Sequence, residues 1–127
     1  MESKEDAVLQ GIRMLELELV VRDFIDALNG RRPAGMEELM HPDVVYRPSH
    51  RRSARGRDGV LAVCDEIWRT CEEFGIEITQ VAVHHDVVLV EEHLSVTLGA
   101  TPPQHLLGFA SFRFRGVQIA EWKQIHA

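Results

Sequence analysis

The spacing of apolar residues changes at Gly75, and this change constrains the fold more than any other feature of the sequence. Before Gly75, apolar side chains recur every three or four residues, the spacing of an amphipathic helix. After it they alternate with polar residues, which predicts strands over residues 76–84, 87–98, 104–115 and 117–126. These strands form two hairpins that turn at His85-Asp86 and Arg115-Gly116. Helices followed by antiparallel strands are typical of an α+β domain whose helices pack on one face of a curved sheet.

Three helices are predicted in the first part of the chain. The first spans about residues 7–28 and ends at Asn29-Gly30, a common helix stop. Its apolar face is formed by Leu17, Val21, Phe24 and Leu28, which recur at helical spacing. A short helix covers residues 36–40, and a third spans roughly residues 58–74, with Leu61, Cys64, Trp68 and Cys71 on one face. Val44–Tyr46 has the composition of a strand, and residues 47–57 are predicted to be a polar loop.

Length and composition indicate one globular domain over residues 1–127, with its core at about 15–126. The chain is 45% hydrophobic and 27% charged, as folded proteins are. No apolar run approaches the roughly 18 residues needed to cross a bilayer, so no membrane partner is expected. The acidic start, Met1-Glu-Ser-Lys-Glu-Asp, lacks the order of a secretory signal, so we expect a cytoplasmic protein. A net charge of -6 argues against nucleic-acid binding.

The two cysteines, Cys64 and Cys71, lie on the third predicted helix. Their spacing separates them by two turns, or about 10 Å along the axis. A mutual disulfide is therefore excluded, because its Cα atoms must lie within about 7 Å. We interpret both as small buried hydrophobic residues in a reducing compartment.

Glu92 interrupts an otherwise apolar strand face. The alternate residues of that strand are Val88, Val90, Glu92, Leu94, Val96 and Leu98. A buried lone carboxyl group must find partners, stay near water in a cavity, or keep its proton. We therefore interpret Glu92 as a polar point in an apolar pocket, able to exchange a proton with a ligand. The alternatives are a Glu paired with Arg or Lys, or a bulge that breaks the alternation.

The order of elements, with the segments "ALNGRRPAGMEELMHPDVVY" and "IAEWKQ", resembles the nuclear transport factor 2-like superfamily and its SnoaL-like branch over about residues 15–126. The resemblance implies a cone-shaped α+β fold, with N-terminal helices on a curved, mostly antiparallel sheet around an apolar pocket. Members include ketosteroid isomerase, limonene epoxide hydrolase, scytalone dehydratase, polyketide cyclases and non-catalytic binding or dimerisation domains. Sheets of this family often pair through their outer faces, which implies a homodimer with Leu107 and Phe109 as candidate contacts.

The catalytic residues of two of these enzymes are largely not matched. Of the set that the epoxide hydrolases use, Tyr46 stands at the tyrosine. The other positions are occupied by different residues: Pro48, Glu92, Leu94 and Gln124. The base of the ketosteroid isomerases would lie near Arg47, which stays protonated and cannot act as a base. The chain is therefore predicted to be neither enzyme in its usual form.

Two functions remain open. The first is proton-transfer catalysis without a cofactor on a small, largely apolar molecule, by isomerisation, cyclisation, dehydration or epoxide hydrolysis. Its catalytic candidates are Glu92 and Tyr46, and its ligand-binding candidates are Trp68, Trp122, Gln124, Leu94, Arg51 and Arg52. The second is a non-catalytic carrier or dimerisation module of the same fold.

Two polar clusters have alternative interpretations. The segment 47–57 contains five arginines, which form either a solvated loop or a pocket mouth that attracts an anionic organic ligand. His84, His85, Asp86 and His93 lie close in sequence, but adjacent residues of a strand face opposite ways. We therefore predict no metal site there.

Overall fold

The computed structural model describes residues 3–126, so the ends of the predicted domain, residues 1 and 127, lie outside the described range. In chain order the elements are α1 (Lys4–Asn29), α2 (Pro33–Leu39), β1 (Met40–Ser49), β2 (Arg52–Arg55), α3 (Gly56–Thr70), β3 (Glu73–His84), β4 (Val87–Thr97), β5 (Gln104–Arg115) and β6 (Gln118–His126). The strands form one sheet in the order β2-β1-β6-β5-β4-β3. Neighbouring strands are antiparallel except β1 and β6, which are parallel. The predicted α+β class with a mostly antiparallel sheet is confirmed.

Helix α1 begins at a capping box, in which Ser3 and Asp6 bond each other's backbone N–H groups. It ends at Asn29, as the Asn29-Gly30 signal predicted, but it starts three residues earlier than expected. Its predicted apolar face packs onto the inner face of the sheet through Leu17, Val21, Phe24 and Leu28, which have at most 1% exposure. Of the helices within residues 3–126, none is long and apolar enough to cross a bilayer.

The prediction of a loop over residues 47–57 is wrong. Strand β1 continues to Ser49, and β2 folds back on it with Tyr46 opposite Ala54. Strand pairing satisfies the hydrogen-bonding groups of the backbone in this segment. Most of its side chains stay exposed, so the segment is polar and has no apolar alternation from which strands could be predicted.

Helix α3 is shifted relative to its predicted range of 58–74. It begins at Gly56, whose φ of 74° suits glycine, and it ends at Thr70. Phe74 belongs instead to β3, where it pairs with Val96 and packs against the core. The helix therefore ends before its apolar pattern does, because pairing with β4 places Phe74 in the sheet.

Both predicted hairpins are present. The first turns at His85-Asp86, with His85 at a φ of 54°, and the second turns at Gly116-Val117, one residue later than predicted. A bulge near Thr79 in β3 shifts the register between Ile78 and Gln80. Strand β4 keeps its alternation, so Val88, Val90, Glu92 and Leu94 lie inside and Val96 is partly buried. Leu98, which was expected on the same face, lies beyond the strand and is 39% exposed.

Candidate functional site

Glu92 lies on the inner face of β4 with no solvent-exposed surface. Its Oε1 accepts a hydrogen bond of 3.2 Å from Nε2 of Gln124. Its Oε2 is buried and has no hydrogen-bond partner within residues 3–126. No Arg or Lys pairs with this carboxylate in the same range; its one ionic neighbour is His126. An incompletely satisfied buried carboxyl group is rare in folded proteins and calls for a functional explanation.

His126 stands beside Glu92, and the sequence analysis missed it. Its Nε2 lies 3.6 Å from Oε1 of Glu92, and its side chain keeps 27% exposure. After Trp122 and Gln124, His126 is the next inward-facing residue of β6. These three residues line the same cavity. The alternation that placed Gln124 on the face of Trp122 would have found His126 two residues further on.

Gly108 creates the space in which these two side chains meet. On the central strand β5 it pairs with Glu92 on one side and with His126 on the other. A Cβ atom on Gly108 would lie 2.7 Å from Cδ2 of His126 and 3.2 Å from Cγ of Glu92. Both distances are shorter than ordinary carbon contacts, so any side chain here would push the imidazole and the carboxylate apart.

Tyr46 fixes the orientation of Gln124. Its hydroxyl donates a hydrogen bond to Oε1 of Gln124, which directs the amide NH2 group toward Glu92. The ring of Tyr46 stacks on Trp122 at a centroid distance of 3.7 Å. Burial, with smaller contributions from Cys64 and Glu92, raises the pKa of Tyr46 above its ordinary range. The phenol therefore stays protonated and serves as a donor.

A cavity of about 220 Å³ opens beside this network. Its polar lining consists of Tyr46, Gln124 and His126, whereas its walls are mostly apolar and include Leu28, Pro48, Ile67, Phe74, Leu94 and Val96. Glu92 is not part of the lining. Its carboxylate lies behind Gln124 and His126, so it would act on a ligand through these two side chains and not by direct contact.

The other predicted ligand-binding residues lie outside this lining. Trp68 is buried and donates from Nε1 to the carbonyl oxygen of Leu28 at 3.1 Å, which joins α3 to α1. Arg52 pairs with Glu66 at 2.7 Å on the surface, and Arg51 is exposed at the β1–β2 turn. Pro48 lies on the same β1–β2 hairpin as these arginines and forms part of the cavity wall.

Four of the other histidines lie at the β3–β4 turn or on the outer face of the sheet. The rings of His84 and His85 contact each other at the β3–β4 turn. His93 and His105 stack on the outer face, with 3.1 Å between Nε2 and Nδ1. Within the described part of the chain, no cluster of three His, Cys, Asp or Glu residues could hold a metal ion.

The sequence model of the SnoaL-like domain matches residues 21–122, most of the chain. This protein belongs to the SnoaL-like family. The family lies in the nuclear transport factor 2-like superfamily, as the resemblance predicted. No curated protein matches this SnoaL-like chain significantly by sequence.

Solved structures with the same fold include proteins of several kinds. A LEH-like epoxide hydrolase from M. tuberculosis is 17% identical, with a TM-score of 0.80 over 90% of this chain and 84% of that one. A Catenulispora acidiphila protein with a ketosteroid isomerase-like fold, solved with trimethylamine, is 19% identical, with a TM-score of 0.78 over 84% and 83%. TerC, co-crystallised with polyporic acid, is 15% identical, with a TM-score of 0.82 over 88% and 92%. At these identities the similarity establishes the fold alone.

Proposed function

We propose that this SnoaL-like protein binds a small, largely apolar organic molecule in its cavity and catalyses proton transfer without a cofactor. The observation that carries the proposal is the contact between the buried Glu92 carboxyl group and the partly exposed His126 imidazole, of which only the imidazole lines the cavity. In such a pair the carboxyl group orients the imidazole and stabilises the imidazolium that forms when the imidazole accepts a proton.

In the proposed mechanism, His126 takes a proton from a carbon next to the ligand's carbonyl group. The imidazolium that forms is stabilised by the Glu92 carboxylate 3.6 Å away, while the ligand carries the negative charge of the enolate on its oxygen. The imidazolium, which is 27% exposed and can exchange its protons with water, then gives a proton to a different atom of the ligand, which completes an isomerisation. Gln124 has a second amide hydrogen for the ligand oxygen, because only one bonds Glu92.

The size and polarity of the cavity limit the substrate class. Its volume of about 220 Å³ lies below the roughly 300–1,000 Å³ typical of sites for drug-sized ligands. The polar groups are confined to one end, at Tyr46, Gln124 and His126. A compact cyclic ketone or enone, with its oxygen at that end, is the substrate class we propose.

Hydrogen–deuterium exchange tests this proposal before the natural substrate is known. A panel of small cyclic ketones and enones is incubated with the protein in deuterated water, and exchange next to the carbonyl group is followed by NMR. We expect exchange above background with the wild type and its loss in Glu92→Gln and His126→Gln. Glu91→Gln is the matched control, because Glu91 neighbours Glu92 but bonds Thr79 on the other face. Equal exchange in Glu92→Gln and the wild type would overturn the mechanism.

A non-catalytic binding protein is the second candidate. Pro48 and Leu94 add apolar wall at positions where the epoxide hydrolases, by our sequence comparison, carry polar catalytic residues. This favours retention of a ligand over chemistry on it. Thermal stabilisation by panel members, with no exchange in deuterated water, would support this function.

A homodimer formed through the outer face of the sheet remains part of the proposal. Leu107 and Phe109 lie on that face and are 49% and 48% exposed. Phe109 pairs across strands with Ile125, which is 71% exposed, so an apolar patch spans β5 and β6. Patches of this kind commonly mark contacts between proteins.

A reducing compartment such as the cytoplasm is the proposed location. Cys64 and Cys71 are both free and buried, as expected of cysteines that serve as small hydrophobic residues.

A further inference from the structure

Helix α1 carries two apolar stripes on opposite sides. The first, which includes Leu17 and Val21, packs on the sheet. The second, which we call the outer seam, consists of Val8, Ile12, Leu15 and Leu19. At 100° per residue the mean directions of the two stripes differ by about 180°. The seam residues are 61%, 49%, 55% and 49% exposed, so the seam faces away from the body of the protein.

The first half of α1 has little support from the rest of the described chain. Its buried residues begin at Leu17, although the helix starts at Lys4. A hydrogen bond of 2.7 Å joins its middle to the β5–β6 turn, where Nη2 of Arg13 donates to the carbonyl oxygen of Gly116. Helical segments shorter than about 12–15 residues are marginal in water on their own, so this half needs a partner for its apolar side.

We propose that the outer seam pairs with the outer seam of a second copy of this chain, in antiparallel orientation. The seam intervals of four, three and four residues are those of the core positions of a coiled coil. They are also symmetric about the point between Arg13 and Met14. An antiparallel pair therefore places Val8 opposite Leu19 of the second copy, and Ile12 opposite its Leu15. Four apolar layers result.

The charges that continue the seam select this orientation. The next core positions are Glu5 at one end and Arg22 at the other. Antiparallel pairing brings Glu5 of each copy to Arg22 of the other, whereas parallel pairing would bring Glu5 to Glu5 and Arg22 to Arg22. Arg22 already bonds Glu18 of its own helix at 3.0 Å and has further N–H groups for a second carboxylate. Polar residues at core positions fix the register of coiled coils, and complementary charges across an interface disfavour arrangements that bring like charges together.

The flanks of the seam disfavour an anionic membrane surface as its partner. Glu16, Glu18 and Asp23 lie beside it, where a membrane-binding helix usually carries Lys or Arg. The C-terminal half of α1 is already ordered by the sheet, so pairing costs less conformational entropy than it would for a free peptide. A second copy of the chain would therefore bury the outer seam and also pair the charges at its two ends.

The seam is tested in a Phe109→Asp background, which removes pairing through the outer sheet face. Sedimentation velocity over a range of concentrations is expected to show a dimer in this background and a monomer after addition of Leu15→Asp. Val117→Asp is the control, because Val117 is 49% exposed, close to the 55% of Leu15, but lies in the β5–β6 turn. Far-ultraviolet circular dichroism confirms folding of each variant. A monomeric background variant, or a dimer that persists with Leu15→Asp, would overturn the proposal.

Charge reversal in the same background tests the orientation. Glu5→Arg and Arg22→Glu are each expected to weaken dimerisation by about three- to tenfold, because two like-charged contacts replace two ion pairs. The double variant is expected to recover the parental affinity. Single variants with unchanged affinity, or a double variant weaker than both, would contradict the antiparallel arrangement.

Discussion

Oε1 of Glu92 and Nε2 of His126 lie 3.6 Å apart, although their strands are not neighbours in the sheet. The strand between them contributes Gly108, whose missing side chain leaves the room that the two groups occupy. A buried carboxylate thereby reaches an imidazole that lines the cavity. This relationship connects the polar interior of the protein to its proposed substrate.

Substitution of Gly108 should separate the pair. The added Cβ of Gly108→Ala would meet the imidazole at 2.7 Å, so we expect displacement of His126, loss of proton exchange and a stability cost of about 1–3 kcal/mol. NMR of the imidazole resonances measures the displacement, and denaturant unfolding measures the cost. Gly75→Ala is the matched control, because this strand glycine has open space where its Cβ would lie. Unchanged His126 resonances in Gly108→Ala would show that the glycine does not set the geometry.

Removal of the Glu92 charge should stabilise the protein while it abolishes turnover. The carboxylate is fully buried and one oxygen has no partner in the described chain, whereas an amide of the same shape carries no charge. We expect the free energy of unfolding of Glu92→Gln to equal or exceed that of the wild type by about 1 kcal/mol. Urea denaturation provides the comparison. A loss of several kcal/mol would instead assign Glu92 a structural role.

The ionisation of Tyr46 should coincide with alkaline unfolding. It is the only tyrosine, so the ultraviolet absorbance of tyrosinate reports this residue alone. Burial raises its pKa in the folded state, so its contribution to stability is complete below the ordinary pKa of about 10 and is lost as the pH rises beyond it. We expect tyrosinate to appear together with the loss of secondary structure. Ionisation near pH 10, with the fold intact, would contradict the burial of its hydroxyl.

Cys64 should resist alkylation while the protein is folded. Burial raises the pKa of its thiol to about 12, so very little thiolate is present near neutral pH. In a Cys71→Ser variant, iodoacetamide labelling followed by mass spectrometry is expected to be slow without denaturant and fast with it. Rapid labelling under native conditions would mean that α3 opens readily.

The arginine-bearing hairpin should favour anionic ligands over neutral ones. Arg51 is exposed and Arg52 is shared with Glu66, near the Pro48 wall of the cavity. Reversal of both charges in Arg51→Glu/Arg52→Glu is expected to weaken binding of a small cyclic carboxylate by about tenfold at low salt, and less at high salt. Titration calorimetry at two salt concentrations measures this, with the neutral parent ketone as the control. An equal change for both ligands would exclude an electrostatic role.

Much of the fold was predictable because its local patterns agree with the tertiary structure. The switch at Gly75 gave the helices and the two hairpins, and the alternation in β4 gave the inward face of Glu92. Strand β2 was missed because its exposed arginines carry no apolar alternation, although its backbone pairs with β1. Phe74 was assigned to a helix by spacing, but pairing with Val96 in the sheet outweighed that preference.

By itself, the sequence determined the three helices, the two hairpins, the α+β class and the inward direction of Glu92, because these follow from periodicity, which is local. The family followed from the resemblance of its segments. Only the tertiary structure decided which groups meet: Gly108 and His126 join Glu92 because strand register brings three distant residues into one row across the sheet. It also left the outer seam of α1 exposed, because only the other stripe of this helix meets the sheet although both have helical spacing.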